Sequence, residues 1–276
     1  MSLTPALSEL RKAASDLAQS GASKAADFLG KVEMVRKQDD TPVTEADHAA
    51  QDVILAEIAR RYPSHSVLVE EAVGRQHSHG AVGLAEFCWV IDPIDGTRNF
   101  GRGAGVYCTS VAVLQKGRPV AAAIHDAVSR RTYSASLGGG AYCDDRVLKL
   151  ADRPIDYNTT LGVGSFRRRP VPPVVRDWLN QYLFRNLGSL CLHLVWVAAG
   201  FLDAAYAVEC KLWDIAAGSL LIQEAGGLAT NHIGHPLWPK DLQSYRGEDI
   251  PILAGSPRMH GRLLDAMSRS DDGGGK

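Results

Sequence analysis

Blocks of apolar and polar residues alternate along the chain, and their spacing predicts both helices and strands. Apolar positions three and four residues apart are typical of helices, and short apolar runs bounded by Gly, Pro or charged residues are typical of strands. The predicted helices are 5–28, a segment that follows Thr44, 174–184, 190–199, 214–225 and 257–267. The predicted strands are 66–69, 87–91, 106–114, 120–128, 131–136, 161–164, 202–208 and 252–254.

The order of these elements predicts a layered α+β protein whose two halves share an interface. The pattern of predicted helices and strands changes around residues 152–158. This suggests an N-terminal subdomain over 1–150 and a C-terminal one over 151–267. Residues 31–42 are polar and predict a mobile loop. The tail, 268–276, is polar and rich in glycine, so we expect it to be disordered.

The predicted strand 87–91 leads directly into two closely spaced acids. Pro93 favours a type I turn, which would bring Asp92 and Asp95 within about 7 Å of each other, Cα to Cα. Two unit charges about 4 Å apart repel by roughly 4 kcal/mol at an effective dielectric constant near 20. A bound cation would relieve this repulsion. The simpler alternative is a surface hairpin, because Asp95–Gly96 is a strong turn signal.

Three more acids fall at the ends of predicted elements, and each has an ordinary explanation. Asp47 and Asp214 lie in the first turns of predicted helices, where a carboxylate serves as a cap. Glu70, followed by Glu71, could be part of a solvated pair at a strand end. Their combination with the Asp92 segment is what favours a metal site, because Mg²⁺ prefers oxygen ligands.

The composition narrows the class of protein. The chain has 276 residues, of which 45% are hydrophobic and 22% charged, as in soluble globular proteins. A formal net charge of -1 argues against a general nucleic-acid binder. Five scattered cysteines without a CxxC pair favour reduced thiols in the cytoplasm. The apolar stretch 187–202 is too short for a membrane span, so no membrane association is predicted.

Several motifs together resemble one known family. They are Asp-Pro-Ile-Asp-Gly-Thr at 92–97, Trp-Asp-Ile-Ala-Ala-Gly at 213–218, the Glu70–Glu71 pair, Pro-Val-Thr-Glu-Ala-Asp at 42–47 and Leu-Gly-Gly-Gly-Ala-Tyr at 137–142. In this order and spacing the chain resembles the inositol monophosphatase family. The resemblance implies a layered α/β/α/β/α sandwich and a lithium-sensitive, Mg²⁺-dependent phosphatase that is a homodimer.

The resemblance also implies a role for each matching residue. Glu70, Asp92, the Ile94 carbonyl and Thr97 would surround one Mg²⁺; Asp92, Asp95 and Asp214 would hold a second, and Glu70 with the 31–42 loop a weaker third. The expected catalytic residues are Asp47, Glu70 and Thr97, with the Thr97–Asp47 pair orienting the attacking water. The expected substrate contacts are Gly96, Thr97, Gly188, Ser189, Glu209 and Asp214.

The substrate is less defined than the chemistry. Inositol monophosphate is the first candidate, although the family's polyol-contacting Glu falls on Ala207, with Glu209 two residues further on. The segment 39–47 also resembles the bisphosphonucleotide and histidinol-phosphate branches. A different class of function stays open: a non-catalytic module that binds phosphate ligands or a protein or RNA partner.

Other candidate features are weaker. His77, His79, His232 and His235 raise the possibility of zinc, but no Cys or His spacing completes a site. The Arg167–Arg169 run is either a solvated loop or a contact for a second phosphate. Lys37 is either a phosphate contact or an ordinary surface lysine.

Overall fold

The computed structural model describes residues 6–36, 42–70 and 85–272. Its helices are α1 (Leu7–Ala26), α2 (Glu45–Arg61), α3 (Thr97–Phe100), α4 (Pro173–Gln181), α5 (Leu190–Ala198), α6 (Leu212–Glu224) and α7 (Pro257–Asp272). Its strands are β1 (Val35–Arg36), β2 (Pro42–Val43), β3 (Ser66–Val69), β4 (Phe87–Asp95), β5 (Cys108–Gln115), β6 (Arg118–Asp126), β7 (Arg131–Ser136), β8 (Gly140–Cys143), β9 (Arg146–Leu148), β10 (Thr160–Val163), β11 (Leu183–Arg185), β12 (Ala204–Ala207), β13 (Leu228–Thr230) and β14 (Ile252–Gly255).

The strands form two large sheets and one small one. The seven-stranded sheet follows chain order from β3 to β9; β3 is parallel to β4, and the other neighbours are antiparallel. The five-stranded sheet has the order β11-β10-β12-β14-β13 and mixes parallel and antiparallel pairs. Strand β1 lies within the predicted 31–42 loop and pairs with β2 at the end of that loop.

Helices cover both faces of the two large sheets, which gives five layers. α1 and α2 pack on the outer face of the seven-stranded sheet. α5 and α6 lie between the two sheets, and α4 and α7 cover the outer face of the five-stranded sheet. The predicted α+β fold with α/β/α/β/α layers is therefore confirmed. The predicted subdomain boundary at 150/151 falls between β9 and β10 and stays a prediction.

The layer between the sheets is the most apolar part of the molecule. Nearly every side chain of α5 is buried, so this helix is hydrophobic all round. Gly218 of α6 allows close helix contact, because a Cβ there would lie 2.5 Å from Leu194 Cβ of α5. None of the helices in the described ranges has the length and hydropathy to cross a membrane.

Three local predictions were wrong. Residues 92–95 form a bulged continuation of β4 rather than a type I turn. The helix predicted over 174–184 ends at Gln181, because 183–185 pair with β10 as a parallel edge strand. Part of the tail predicted to be disordered is helical, since α7 continues from Met267 to Asp272. No glycine or proline interrupts the chain before Gly273.

Candidate functional site

The bulge in β4 places two acids at the edge of the seven-stranded sheet. Asp92 pairs with Ser110 and Asp95 with Cys108, so β4 carries one more residue than β5 between these pairs. Pro93 fits such a bulge because it has no N–H to give to the ladder. The Asp92 side chain folds back, and its Oδ1 accepts the Ile94 N–H at 3.1 Å.

Two further acids reach the same region from different elements. β3 runs parallel to β4 with Val69 opposite Ile91, so Glu70 comes next to Asp92. Asp214 lies in the first turn of α6, where its Oδ2 accepts the Lys211 N–H at 2.6 Å. Glu70 and Asp214 are far in sequence from Asp92 and Asp95, and the two strands and α6 bring the four acids together.

Burial and neighbouring charges raise the pKa of three of these acids. Burial raises the pKa of Asp92 well above its ordinary value, and the charges of Glu70, Asp95 and Asp214 raise it further. Burial and the charges of Asp95 and Glu70 also raise the pKa of Asp214 well above its ordinary value. Burial raises the pKa of Asp95 to about 6, against hydrogen bonds from Ser189 and Cys191 that lower it. A carboxylate cluster with these raised pKa values fits a hard divalent cation.

The carboxylates of Asp92, Asp95 and Asp214 lie too far apart to share one cation without moving. The ligand oxygens of Asp92, Asp95 and Asp214 do not all lie within 4.8 Å of one another. Asp95 Oδ2 is held by the Ser189 hydroxyl and the Cys191 N–H, each at 2.6 Å, and Asp214 by the Lys211 N–H. Repulsion between the acids also favours separation. A shared cation would therefore require these side chains to rotate inward.

A threonine and a fifth acid form a buried pair beside the cluster. Thr97 Oγ1 lies 2.9 Å from the Ile94 carbonyl oxygen and 3.3 Å from Asp47 Oδ1. The other Asp47 oxygen accepts the Thr44 N–H at 2.8 Å and the Thr44 hydroxyl at 2.6 Å. Thr44 and Asp47 thus have the spacing and backbone bond of a capping box, and that bond fixes the orientation of the carboxylate.

Two glycines shape the backbone around this pair. Gly96 has φ +102°, and a Cβ there would lie 2.8 Å from the Val106 carbonyl oxygen. Gly188 has φ +70°, and a Cβ there would lie 2.9 Å from Asn99 Nδ2. The same Asn99 nitrogen donates to the Val106 and Leu187 carbonyls, so it ties the segments that carry the two glycines.

The remaining predicted substrate contacts differ in their surroundings. Ser189 caps α5 by accepting the Leu192 N–H at 3.2 Å, and its hydroxyl contacts Asp95. Glu209 is engaged elsewhere: it accepts the N–H groups of Arg167 and Arg168 at 3.1 and 2.7 Å and the Arg168 Nε at 3.3 Å. Its role as a substrate contact stays a prediction.

Sequence reasoning missed the residues that hold the acids in place. The backbone N–H groups of Cys191 and Lys211 do so for Asp95 and Asp214, and no sequence signal announces the Cys191 contact. Thr44 was predicted as a helix cap but not as the partner that orients Asp47. Glu71, Lys37, His77 and His79 lie outside the described residues, and His232 and His235 are exposed.

Comparison with known proteins places the chain in a family. A family model described as the inositol monophosphatase family matches residues 2–270. This chain belongs to the inositol monophosphatase family. An inositol-1-monophosphatase of Mesorhizobium japonicum is 33% identical over 82% of this chain and 83% of its own length. The Escherichia coli protein named Nus factor SuhB is 31% identical over 92% of this chain and 98% of its own length.

Solved structures of this family have the same fold. Inositol monophosphatase-II from Staphylococcus aureus superposes with a TM-score of 0.78 at 28% identity, covering 96% of this chain and 98% of that one. The inositol monophosphate-bound form of SaIMPase-II superposes with a TM-score of 0.76 at 27% identity and covers 95% and 96%. These family members include proteins named as phosphatases and proteins named as Nus factors.

Proposed function

We propose that this chain is a Mg²⁺-dependent phosphomonoesterase that hydrolyses a small phosphorylated polyol, with inositol monophosphate as the first candidate. The observation that carries the proposal is the Thr97–Asp47 pair, 3.3 Å apart, beside three buried acids, Asp92, Asp95 and Asp214, whose pKa values are raised. A module that only binds a partner has no need of a buried hydroxyl–carboxylate pair at such a cluster. The similarity to an inositol monophosphate-bound relative supports the choice of substrate.

The donor set suits two or three Mg²⁺ ions. Glu70, Asp92, the Ile94 carbonyl and Thr97 would hold one ion, and Asp92, Asp95 and Asp214 a second. When bound, Mg²⁺ supplies charge neutralisation for the phosphate dianion and a more acidic water. Without such charge, the acids would repel a phosphate by several kcal/mol, on the scale of about 4 kcal/mol per close pair.

Thr97 and Asp47 would position the attacking water. The single Thr97 hydroxyl proton faces the Ile94 carbonyl and Asp47 Oδ1, so the oxygen lone pairs are left to accept a proton from water. Asp47 is held by Thr44 and can take up the proton that leaves. Water would then attack phosphorus in line with the departing alkoxide, which takes a proton from solvent water to leave as the alcohol, and no phosphoenzyme would form.

The backbone around the glycines would receive the substrate. We assign the N–H groups of Gly96 and Thr97 to the phosphate, because glycine permits close approach of a ligand to the backbone. Gly188 and Ser189 would line the alcohol side of the pocket. Ala207 is buried where the family places a polyol-contacting Glu, and Glu209 would contact the polyol only if it releases Arg168.

A panel of phosphate esters assayed with and without Mg²⁺ tests the proposal. The panel contains inositol monophosphate, histidinol phosphate, fructose bisphosphate and adenosine 3′,5′-bisphosphate. We expect Mg²⁺-dependent phosphate release, fastest with inositol monophosphate, and inhibition by lithium. A preference for the bisphosphonucleotide or histidinol phosphate would move the chain to that branch. Absence of Mg²⁺-dependent release from every ester would contradict the proposal.

The relatives named Nus factor SuhB favour a second candidate function. In that role the fold would act as a module that binds a protein or RNA partner, and the acid cluster would not be required. Partner capture by the Asp92→Asn variant distinguishes the two functions. Equal capture by the variant and the unmodified protein would establish a binding role that is independent of the phosphatase site.

Assembly and compartment complete the proposal. The family resemblance supports a homodimer, which sedimentation analysis of the purified chain tests directly. All five cysteines are buried and unpaired, which supports a reducing compartment such as the cytoplasm.

A further inference from the structure

Two buried thiols lie directly behind Asp95. Cys108 opens β5 as the cross-strand partner of Asp95, and Cys191 lies in the first turn of α5. One carboxylate oxygen of Asp95 and the two sulfur atoms all lie within 4.8 Å of one another. In the part of the chain that the structure describes, this is the one group of three Asp, Glu, Cys or His side chains with that property.

The other cysteines have the surroundings of ordinary core residues. Cys210 Sγ contacts the Ile250 carbonyl at 2.9 Å, and Cys88 Sγ contacts the Trp89 carbonyl at 3.7 Å. A buried cysteine of this kind behaves as a small hydrophobic side chain. Cys191 Sγ likewise contacts the Asp214 carbonyl at 3.3 Å, but the Cys108–Cys191 pair differs because both sulfur atoms also lie within reach of the Asp95 carboxylate.

We propose that Asp95, Cys108 and Cys191 form a binding site for a thiophilic divalent cation such as Zn²⁺ or Cd²⁺. Two thiolates and one carboxylate are ligands that Zn²⁺ takes readily, whereas Mg²⁺ prefers oxygen alone. Each thiol releases its proton to solvent on coordination, and the two thiolates with the Asp95 carboxylate leave the loaded site with one net negative charge.

The three ligand atoms need to move only a short distance to bind the ion. Zn–S bonds of about 2.3 Å place two sulfurs of a tetrahedral site about 3.8 Å apart. The ligand atoms therefore move inward by about 1 Å or less, which side-chain rotation supplies. The Ser189 hydroxyl lies 2.6 Å from Asp95 Oδ2 and 3.7 Å from Cys108 Sγ, so an oxygen is in place for the fourth position.

This site would compete with the Mg²⁺ cluster for one residue. Asp95 is partly exposed, whereas Cys108 and Cys191 are fully buried, so the ion would enter past Asp95. An ion held by the two thiolates would draw the Asp95 carboxylate away from Asp92 and Asp214. The same residue that would serve the Mg²⁺ cluster thereby makes the molecule sensitive to thiophilic metals.

Cadmium titration of the whole chain tests the proposal without an activity assay. Cd²⁺ is added to the thiol-reduced, metal-free protein in excess Mg²⁺, and the thiolate-to-Cd²⁺ charge-transfer absorption is recorded. We expect one equivalent of Cd²⁺ to produce the band. Cys108→Ser should weaken Cd²⁺ binding at least tenfold, and the matched control Cys143→Ser should leave it unchanged. No band in the unmodified protein, or the same band in Cys108→Ser, would overturn the proposal.

X-ray absorption of the zinc-loaded, unmodified protein provides a test that needs no variant to fold. We expect two sulfur ligands at about 2.3 Å together with oxygen ligands. A zinc environment of nitrogen and oxygen alone would place the ion elsewhere and overturn the proposal. Neither measurement depends on phosphate release, so failure here leaves the proposed phosphatase activity to its own test.

Discussion

Thr97 connects the bulged strand to the first turn of α2 through one hydroxyl. Its oxygen lies near both the Ile94 carbonyl and Asp47, and Asp47 is in turn held by two groups of Thr44. This arrangement leaves Asp47 few orientations. We therefore propose that Asp47 accepts a proton through Thr97 while the neighbouring acids bind the metal.

Replacement of Asp47 by Asn tests that division of roles. Asp47→Asn keeps an oxygen for the Thr44 N–H but removes the proton acceptor, so we expect kcat to fall by about a hundredfold or more. Mg²⁺ binding, measured by calorimetry, should change little. Asp52→Asn, an exposed position on the same helix, is the matched control. An Asp47→Asn variant with unchanged kcat would remove Asp47 from the mechanism.

His193 makes the stability of the protein depend on pH. Burial lowers its pKa from the usual 6.5 to about 4. Its Nε2 accepts the Leu187 N–H at 2.9 Å, so the neutral form is the one that fits. The unfolded chain takes up a proton below pH 6.5 and the folded chain only near pH 4, so stability falls as the pH falls through that interval.

The expected loss for His193 is about 3 kcal/mol between pH 6.5 and 4, since each pH unit of displacement corresponds to about 1.4 kcal/mol. Urea unfolding at pH 7, 5.5 and 4 measures it. His193→Gln should flatten the pH dependence relative to the unmodified protein, whereas the exposed control His232→Gln should not. Parallel pH curves for the unmodified protein and His193→Gln would refute the explanation.

At the scale of elements, α5 and α6 determine where two of the acids lie. α5 supplies the Ser189 and Cys191 groups that hold Asp95, and α6 supplies Asp214. The two helices pack closely because Gly218 presents no side chain to Leu194. The spacing between these helices therefore sets the distance between Asp95 and Asp214.

Replacing two helical glycines by alanine distinguishes the effect of close packing on stability from the effect of helix propensity. A Cβ at Gly218 would lie 2.5 Å from Leu194 Cβ and Cδ1, so Gly218→Ala should destabilise the protein by about 1–3 kcal/mol. In α7, a Cβ at Gly261 would meet nothing within 4 Å, so Gly261→Ala should stabilise by up to about 1 kcal/mol. Thermal unfolding of both variants measures the signs. A stabilising Gly218→Ala would show that α5 and α6 do not need this close contact.

At the scale of the whole molecule, the sequence predicts what is local and misses what is tertiary. Helical periodicity predicts α1 and α6 well, and the family motifs name the acids. The bulge at Asp92–Asp95 was mistaken for a turn, because β5 extends the strand pairing past Pro93 and only the partner strand reveals this. The approach of Cys108 to Cys191 has no sequence signal, because β5 and α5 meet only in the folded core.

We propose that four acids and the Thr97–Asp47 pair form one Mg²⁺-dependent phosphatase site. The most direct measurement is phosphate release from inositol monophosphate, with and without Mg²⁺, by the unmodified protein, Asp92→Asn and the exposed control Asp241→Asn. We expect release that requires Mg²⁺, falls by about a thousandfold in Asp92→Asn and is unchanged in the control. Mg²⁺-dependent release that Asp92→Asn retains would contradict it.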